Sequence, residues 1–253
     1  CPSTLTEIGD EAFSDCLGLR KVALNEGLKK IGKHAFYHCQ SPSFWGIKFP
    51  STLSEIGDYA FADCWGLRYV AFNKGLEKIG RGAFSGCRSL RGIRSLALNE
   101  GLKEIGERAF YLCQSLERIT CPSSLTKIGD DAFYDCSGLR EVALNEGLEN
   151  IGRNAFADCS SLEGITFPST LTEIGDGAFQ RDVVREVELN EVREKFGDDL
   201  IARCPILGEG IKKFGLKWVI FHEGLEKIGE CAFSGCQSLE RITCPSSLTE
   251  IGE

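Results

Sequence analysis

One phrase recurs along almost the entire chain, and this repetition limits what the chain can fold into. Its clearest copy runs from Leu125 to Gly147 and follows the frame L-x-x-I-G-x-x-A-F-x-x-C-x-x-L-x-x-V-x-L, after which the chain turns. A unit of 23 residues cannot bury its apolar face alone, so the copies must stack as the rungs of a solenoid. The isoleucine of the Ile-Gly pair marks ten copies: Ile8, Ile31, Ile56, Ile79, Ile105, Ile128, Ile151, Ile174, Ile228 and Ile251.

Each rung divides into two extended edges and one tight turn. Leu139, Val142 and Leu144 alternate with polar positions and predict a short strand whose remaining side chains face solvent. A second, shorter extended edge ends at the Ile-Gly pair. Asp130 follows that pair and is predicted to cap one helical turn, which Cys136 closes. The Leu, Ile, Phe and Cys positions of the frame are therefore predicted to form the core.

This frame resembles that of the BspA-type leucine-rich repeats. The resemblance covers almost the whole chain, and about ten agreeing copies make it specific. It implies a right-handed, curved solenoid of about ten rungs, with a parallel β-sheet on one face and short helical or 3-10 turns elsewhere. It also implies a cell-surface or secreted protein that binds other proteins or supports adhesion. No catalytic residues come with the family.

The repeats predict one solenoid array over residues 1–253, with degenerate repeats and an insertion at 180–221. In that segment Asp182 occupies the Cys position of the frame, and Pro205 to Gly215 contains residues that the frame does not need. The chain contains no Met and ends midway through a repeat. Because solenoids usually end in atypical capping repeats, we expect a fragment that is cut at both ends.

Two kinds of rung alternate along the array. A rungs turn with Pro-Ser and carry Asp after Ile-Gly, whereas B rungs turn with Asn-x-Gly and usually carry a base there. The residue after Ile-Gly therefore changes sign from rung to rung, which indicates a solvated charge ladder in preference to a metal site. In order these residues are Asp10, Lys33, Asp58, Arg81, Glu107, Asp130, Arg153 and Asp176.

The side chains that could carry chemistry do not assemble into a catalytic motif. His34 and His38 are four residues apart, but one short turn is a poor frame for a metal site. No nucleophile, histidine and acid share a motif, and no phosphate-binding loop is present. We therefore expect a non-enzymatic protein without cofactor, metal or small-molecule substrate.

The cysteines are expected to be reduced core residues. The chain has 13, with no C-x-x-C spacing, and parallel in-register side chains suit disulfide geometry poorly. Buried thiols would then act as small hydrophobic groups. Nine of them share one position of the frame: Cys16, Cys39, Cys64, Cys87, Cys113, Cys136, Cys159, Cys204 and Cys236.

Bulk composition excludes two classes of partner. The net charge of -8 argues against a protein that wraps nucleic acid. No apolar run is long enough to predict a membrane span. A protein partner is the expectation that remains.

The outward positions of the longer strands are where the rungs differ most. The first four such strands carry five bases and no acid, together with two aromatic residues. Arg, Trp and Tyr are the usual anchors of protein interfaces, so this composition predicts a partner-binding surface. A solvated sheet face is the alternative reading. We name this surface the basic face; it comprises Arg20, Lys21, Trp45, Lys48, Arg68, Tyr69 and Arg94.

A rival binding site lies toward the other end of the chain, where Trp218 and Ile220 flank the insertion. The leading hypothesis is a protein-binding or adhesion-type scaffold that uses its exposed strand face. The alternative is an accessory structural subunit of a larger intracellular or organellar assembly. Thiols that stay reduced fit a reducing compartment at least as well as the cell surface.

Overall fold

The computed structural model describes residues 4–91, 96–181 and 216–252, and these form a solenoid of stacked rungs. Most rungs contribute two short strands, and all pairing is parallel. In chain order the strands are β1 (Glu7–Ile8), β2 (Lys30–Ile31), β3 (Gly46–Lys48), β4 (Glu55–Ile56), β5 (Tyr69–Ala71), β6 (Lys78–Ile79), β7 (Leu96–Ala97), β8 (Glu104–Ile105), β9 (Arg118–Thr120), β10 (Lys127–Ile128), β11 (Glu141–Ala143), β12 (Asn150–Ile151), β13 (Gly164–Thr166), β14 (Glu173–Ile174), β15 (Trp218–Ile220), β16 (Lys227–Ile228), β17 (Arg241–Thr243) and β18 (Glu250–Ile251).

The continuous sheet runs along the Ile-Gly edge. Its ten strands follow the order β1-β2-β4-β6-β8-β10-β12-β14-β16-β18, and isoleucine pairs with isoleucine throughout, as Ile128 does with Ile151. The glycine after each isoleucine permits this close stacking. A Cβ on Gly152 would lie 2.7 Å from the backbone nitrogen of Asp130 in the rung before, so no side chain fits. The predicted solenoid with a parallel sheet is thus confirmed.

The longer strands form three smaller sheets, contrary to the expectation that they would carry the main one. Their orders are β3-β5, β11-β9-β7 and β13-β15-β17. The gap between β5 and β7 falls where the chain after Cys87 is longer than the repeat frame requires, and residues 92–95 of that stretch lie outside the described residues. In the first rung, Leu19 to Leu24 is not part of a strand. The Ile-Gly edge, by contrast, keeps its pairing register through all ten of its strands.

The turn after Ile-Gly is not helical, which corrects the expectation of helical or 3-10 turns. Asp131 and Asp135 take φ values of 53° and 48°, in the left-handed region that Asp, Asn and Gly tolerate best. Alternate N–H groups, those of Asp131, Phe133 and Asp135, donate to carbonyls of the next rung at 2.8–2.9 Å. Asp130 does not cap this turn, because its Oδ1 accepts the N–H of Arg153 in the next rung at 2.9 Å.

A column of stacked phenylalanines fills the core. Neighbouring ring centroids are 5.0–5.4 Å apart and nearly parallel, as far as the described rungs reach. Cys136 and Leu139 are fully buried and Val142 is buried, as predicted, while Leu144 is only partly buried. The column consists of Phe13, Phe36, Phe61, Phe84, Phe110, Phe133, Phe156, Phe179 and Phe233.

The frame cysteines that the structure describes are free thiols, and most of them also act as hydrogen-bond donors. The Sγ of Cys136 lies 3.2 Å from the carbonyl oxygen of Phe110 in the rung before, and the same contact recurs along the column. Burial raises the pKa of Cys136 well above that of an ordinary thiol, which keeps the donor protonated. The other donors in this column are Cys39, Cys64, Cys87, Cys113, Cys159 and Cys236.

The rungs before and after the segment predicted to be degenerate pair directly with each other. Strand β14 pairs with β16 and β13 pairs with β15, although contacts across this junction join residues 54 apart in sequence. Phe179 stacks on Phe233 with the same 5.3 Å separation that Phe156 keeps from Phe179. Most of 180–221, including the Pro205 to Gly215 insertion, lies outside the described residues. A single array over the entire chain therefore stays a prediction there.

The two kinds of rung interlock in a fixed direction. Glu146, in a B turn, accepts hydrogen bonds from the N–H and the hydroxyl of Ser169 in the following A turn, at 3.2 and 2.9 Å. Asn145 of the same turn donates back to the carbonyl of Cys121 in the preceding A rung. A B turn is thus bonded on both sides to A turns, which explains the alternation seen in the sequence.

The exception to this alternation supports the explanation. Where one B rung follows another, Lys74 stands in place of the turn glutamate, and the next turn offers no Pro-Ser to bond. Glu100, in the second of these B rungs, again meets an A turn and accepts from Ser123 at 3.1 and 3.0 Å. The identity of this turn residue therefore follows the rung that comes after it.

Candidate protein-binding face

Strands β3 and β5 bring the centre of the basic face together. Gly46 pairs with Tyr69 and Lys48 pairs with Ala71 in parallel register. A Cβ on Gly46 would lie only 3.2 Å from the Cδ1 of Tyr69. The absence of a side chain at Gly46 therefore makes room for the Tyr69 ring. The result is an exposed aromatic ring packed against bare backbone.

Trp45 and Arg68 form the second contact of this surface. The guanidinium carbon of Arg68 lies 4.8 Å from the centre of the Trp45 ring, in a cation–π arrangement. The carbonyl of Trp45 accepts the N–H groups of Arg68 and Tyr69, at 2.9 and 3.1 Å, which fixes the two backbones. Trp45 is nevertheless 63% exposed, so most of the indole remains available.

The described bases of this face lack acidic partners at contact distance among the described residues. Arg20, Lys21, Lys48 and Arg68 are all exposed, and none makes an ion pair with an acid of the described chain. The charge of Lys48 does contribute to the lowered pKa of Glu26, although hydrogen bonds from Ser51 are the larger cause. Within the described chain, the field of these bases is therefore not neutralised by direct contact.

Later rungs pair their charges on the same side of the solenoid. Arg118 contacts Glu141 in the next rung at 3.0 Å, and Lys217 contacts Glu163 at 3.1 Å. These cross-rung pairs occupy the positions that hold uncompensated bases and aromatic residues in the first rungs. The first and later rungs therefore differ in two ways: in the charges at these positions, and in whether those charges form ion pairs between described residues.

The geometry of three predicted members of the face is not fixed in the same way. Arg20 and Lys21 are exposed on the preceding rung, in a segment that is not part of a strand. Arg94 lies outside the described residues. The part of the basic face with known geometry is therefore Trp45, Lys48, Arg68 and Tyr69.

The rival site has a similar build but a different chemistry. Trp218 is exposed, and its indole lies over Gly164, which has no space for a Cβ. Ile220 is exposed on the same strand, and the ion pair of Lys217 with Glu163 neutralises the charge alongside. This site is apolar and locally neutral.

A cluster of rings on the turn side was missed by sequence reasoning. Trp65 is 47% exposed, and its ring centroid lies 6.5 Å from that of His38, whose Nδ1 is 2.8 Å from Asp15. That hydrogen bond is the main reason why the pKa of Asp15 is lowered. The ring of Tyr37 contacts both His34 and His38, at 5.2 and 5.6 Å. Trp65 directly follows the frame cysteine, and an aromatic residue there was the available signal.

Two further features of the described chain bear on function. No group of three or more His, Cys, Asp or Glu side chains is placed to hold a metal ion within residues 4–91, 96–181 and 216–252. In the same ranges no helix has the length and apolarity needed to span a bilayer.

The fold and this surface define a leucine-rich-repeat solenoid. The BspA type leucine-rich repeat region matches residues 1–95, 91–207 and 212–253, in six copies. The chain therefore belongs to the BspA-type leucine-rich repeat family, as its repeat frame predicted. Among curated proteins no match is found.

Solved structures of bacterial leucine-rich-repeat proteins are similar to this chain. The leucine-rich repeat protein of T. pallidum is 32% identical, with 62% of this chain and 71% of that one covered and a TM-score of 0.57. A leucine-rich cell surface protein of Faecalibacterium prausnitzii is 21% identical over 98% of this chain and 82% of its own, with a TM-score of 0.47. The pneumococcal vaccine antigen PcpA is 22% identical, with 96% and 57% covered and a TM-score of 0.41.

Proposed function

We propose that this protein is a non-enzymatic scaffold that binds another protein through the basic face. The observation that carries the proposal is the Arg68–Trp45 pair, an exposed cation–π contact among bases that no described acid neutralises. The residues that contribute most binding energy in protein interfaces are enriched in Arg, Trp and Tyr, and the two aromatic residues bury much area with little loss of freedom.

Electrostatics favours an acidic surface on the partner. The molecule carries a net charge of -8, so a local excess of bases attracts an acidic patch against the field of the whole protein. Such attraction is screened over about 10 Å at 0.1 M salt, so binding should weaken steeply as salt rises. The apolar Trp218 site would give a binding constant that changes little with salt.

The relatives support a place at the cell surface or outside the cell. One similar structure is described as a cell surface protein and another as a vaccine antigen. In this setting the scaffold serves adhesion. The second candidate, an accessory subunit of an intracellular or organellar assembly, is favoured by the free thiols of the core, because reduced cysteines are typical of reducing compartments.

The test compares three variants of matched design in one capture assay with cross-linking. Arg68→Ala with Tyr69→Ala removes two anchors that face solvent, and Trp218→Ala removes the rival. Arg140→Ala with Glu141→Ala changes the same two outward positions in a later rung and is the control. We expect the first variant to lose a salt-sensitive partner while its thermal unfolding stays unchanged. Normal binding by that variant, with loss in Trp218→Ala, would place the interface at the other end.

A further inference from the structure

The contact between Arg68 and Trp45 prepares the guanidinium for a particular kind of ligand. The two residues occupy the same outward position of adjacent rungs, and the carbonyl of Trp45 accepts the N–H of Arg68 at 2.9 Å. The guanidinium carbon lies over the indole, 4.8 Å from the ring centre. The N–H donors of a guanidinium lie in its own plane, so a contact through its face leaves them available to a ligand.

Those donors have no carboxylate to satisfy them in the described chain. Arg108, by contrast, stacks on Tyr111 at 5.8 Å, and its Nε is already bonded to Asp131 at 3.1 Å. Arg118 is likewise occupied by Glu141. Arg68 is thus the stacked arginine of the described residues that retains a free hydrogen-bonding edge.

The neighbours of Arg68 suit a ligand with an acidic group. Lys48 is exposed on the adjacent strand and adds a second positive charge. Tyr69 follows Arg68 in sequence and lies against Gly46, where its exposed ring and hydroxyl can contact the ligand's stem. The surface thus offers the planar guanidinium of Arg68, the second positive charge of Lys48 and the exposed aromatic ring of Tyr69.

We propose that Arg68, held over the ring of Trp45, is the receptor for the side-chain carboxylate of an Asp or Glu in an acidic segment of the partner protein. This inference rests on the proposed function and names the group that the basic face recognises. A carboxylate meets the guanidinium edge with two parallel hydrogen bonds in one plane, and desolvation by the indole strengthens that pair. A phosphate polymer would need many more bases than this face offers on a protein of net charge -8.

The test uses the NMR signals of individual arginine Nε–H groups, with Arg140 as an internal control. The ligand is N-acetyl-glutamate methylamide, the matched ligand is the glutamine analogue, and inorganic phosphate is the competitor. We expect the Arg68 signal to shift several times more than that of Arg140 with glutamate, and to respond little to glutamine. Trp45→Leu should bring Arg68 down to the level of Arg140.

Arg68→Lys keeps the charge but removes the planar fork. Followed by the indole N–H signal of Trp45, it should weaken glutamate binding at least about threefold. Equal shifts at all arginines, or an unchanged response in Trp45→Leu or Arg68→Lys, would overturn the inference. Tighter binding of phosphate than of glutamate would overturn the assignment to a carboxylate.

The two proposals can fail separately. If Arg68 selects glutamate but Arg68→Ala with Tyr69→Ala still captures the partner, the proposed interface is wrong and the anion preference stands. If the partner is lost from that double variant but Arg68→Lys captures it normally, the interface is right and the carboxylate fork is wrong.

Discussion

The carboxylate of Glu146 accepts two hydrogen bonds from Ser169, a residue 23 positions later in the chain and directly above it in the stack. Glu26, Glu100 and Glu223 make the same contact with serines of the next A turn. These exposed carboxylates therefore join neighbouring rungs, although the sequence shows them only as turn residues.

These contacts give the array a dependence on acid. Hydrogen bonds from Ser169 lower the pKa of Glu146 below the ordinary 4.5, so the carboxylate stabilises the fold above that pH and stops doing so as pH falls through its lowered pKa. We expect Glu146→Ala to reduce the loss of stability between neutral and acidic pH. Urea unfolding midpoints at pH 7, 4 and 3 measure this. Lys74→Ala, at the matched turn position, should leave the pH profile unchanged.

The phenylalanine column is expected to dominate stability. Phe133 is fully buried between two stacked rings, and Phe133→Ala should cost about 3–5 kcal/mol. Phe13 stacks on one described neighbour and is 40% exposed, so Phe13→Ala should cost clearly less. Denaturant unfolding of both variants tests this, and equal losses would contradict a continuous core.

Removing a ladder thiol should cost more than its size suggests. Cys136→Ala leaves a small cavity and removes the donor to Phe110, for an expected loss of about 1–2 kcal/mol. Cys231→Ala, at an exposed position, should stay within about 0.5 kcal/mol of the parent. A negligible effect at Cys136 would show that the thiol–carbonyl contact contributes nothing.

Thiol reactivity should separate the cysteines into two groups. Cys231 and Cys244 are exposed and should react with a thiol reagent in the folded protein. Burial raises the pKa of Cys121 to about 12 and keeps it a thiol at neutral pH, so it should react only after unfolding. Mass spectrometry that found Cys136 cross-linked to Cys159 would contradict this and indicate an oxidising compartment.

Because the rungs on either side of residues 182–215 pair directly, we expect that these residues can be removed without loss of the fold. Arg181 and Leu216 take the places that Asp158 and Leu162 hold in the rung before, where Cys-Ser-Ser joins the two positions. A chain with 182–215 replaced by Cys-Ser-Ser should keep its secondary structure and its cooperative unfolding. Loss of folding in this variant would show that the removed residues stabilise the stack.

The sequence predicted the solenoid and nearly all of the core of the described residues, because the same apolar positions recur in every copy of the repeat frame. It did not locate the continuous sheet. Both edges of a rung are short, and only the pairing of whole rungs decides which edge forms one continuous sheet. The position of Asp130 after Ile-Gly is typical of a helix cap, and the sequence therefore predicts a helical turn there. In the structure the carboxylate of Asp130 instead accepts a hydrogen bond from the N–H of Arg153 in the next rung.

The candidate site was predictable only in composition. Exposed bases and aromatic residues at outward positions of the first strands could be read directly. The sequence could not show which of these residues contact each other. The contact of Arg68 with Trp45 depends on how two rungs of unequal length come into register. The ring cluster around Trp65 was missed because the position after the frame cysteine holds polar residues in most other rungs.

The directional bond from a B turn to the next A turn also constrains how such a gene can lengthen. Unequal recombination that duplicates one rung would place like turns side by side and leave a glutamate without its serine. Duplication of a B–A pair preserves every junction. The adjacent B rungs at Asn73 and Asn99 mark a place where this parity was broken, and Lys74 is the substitution expected at such a junction.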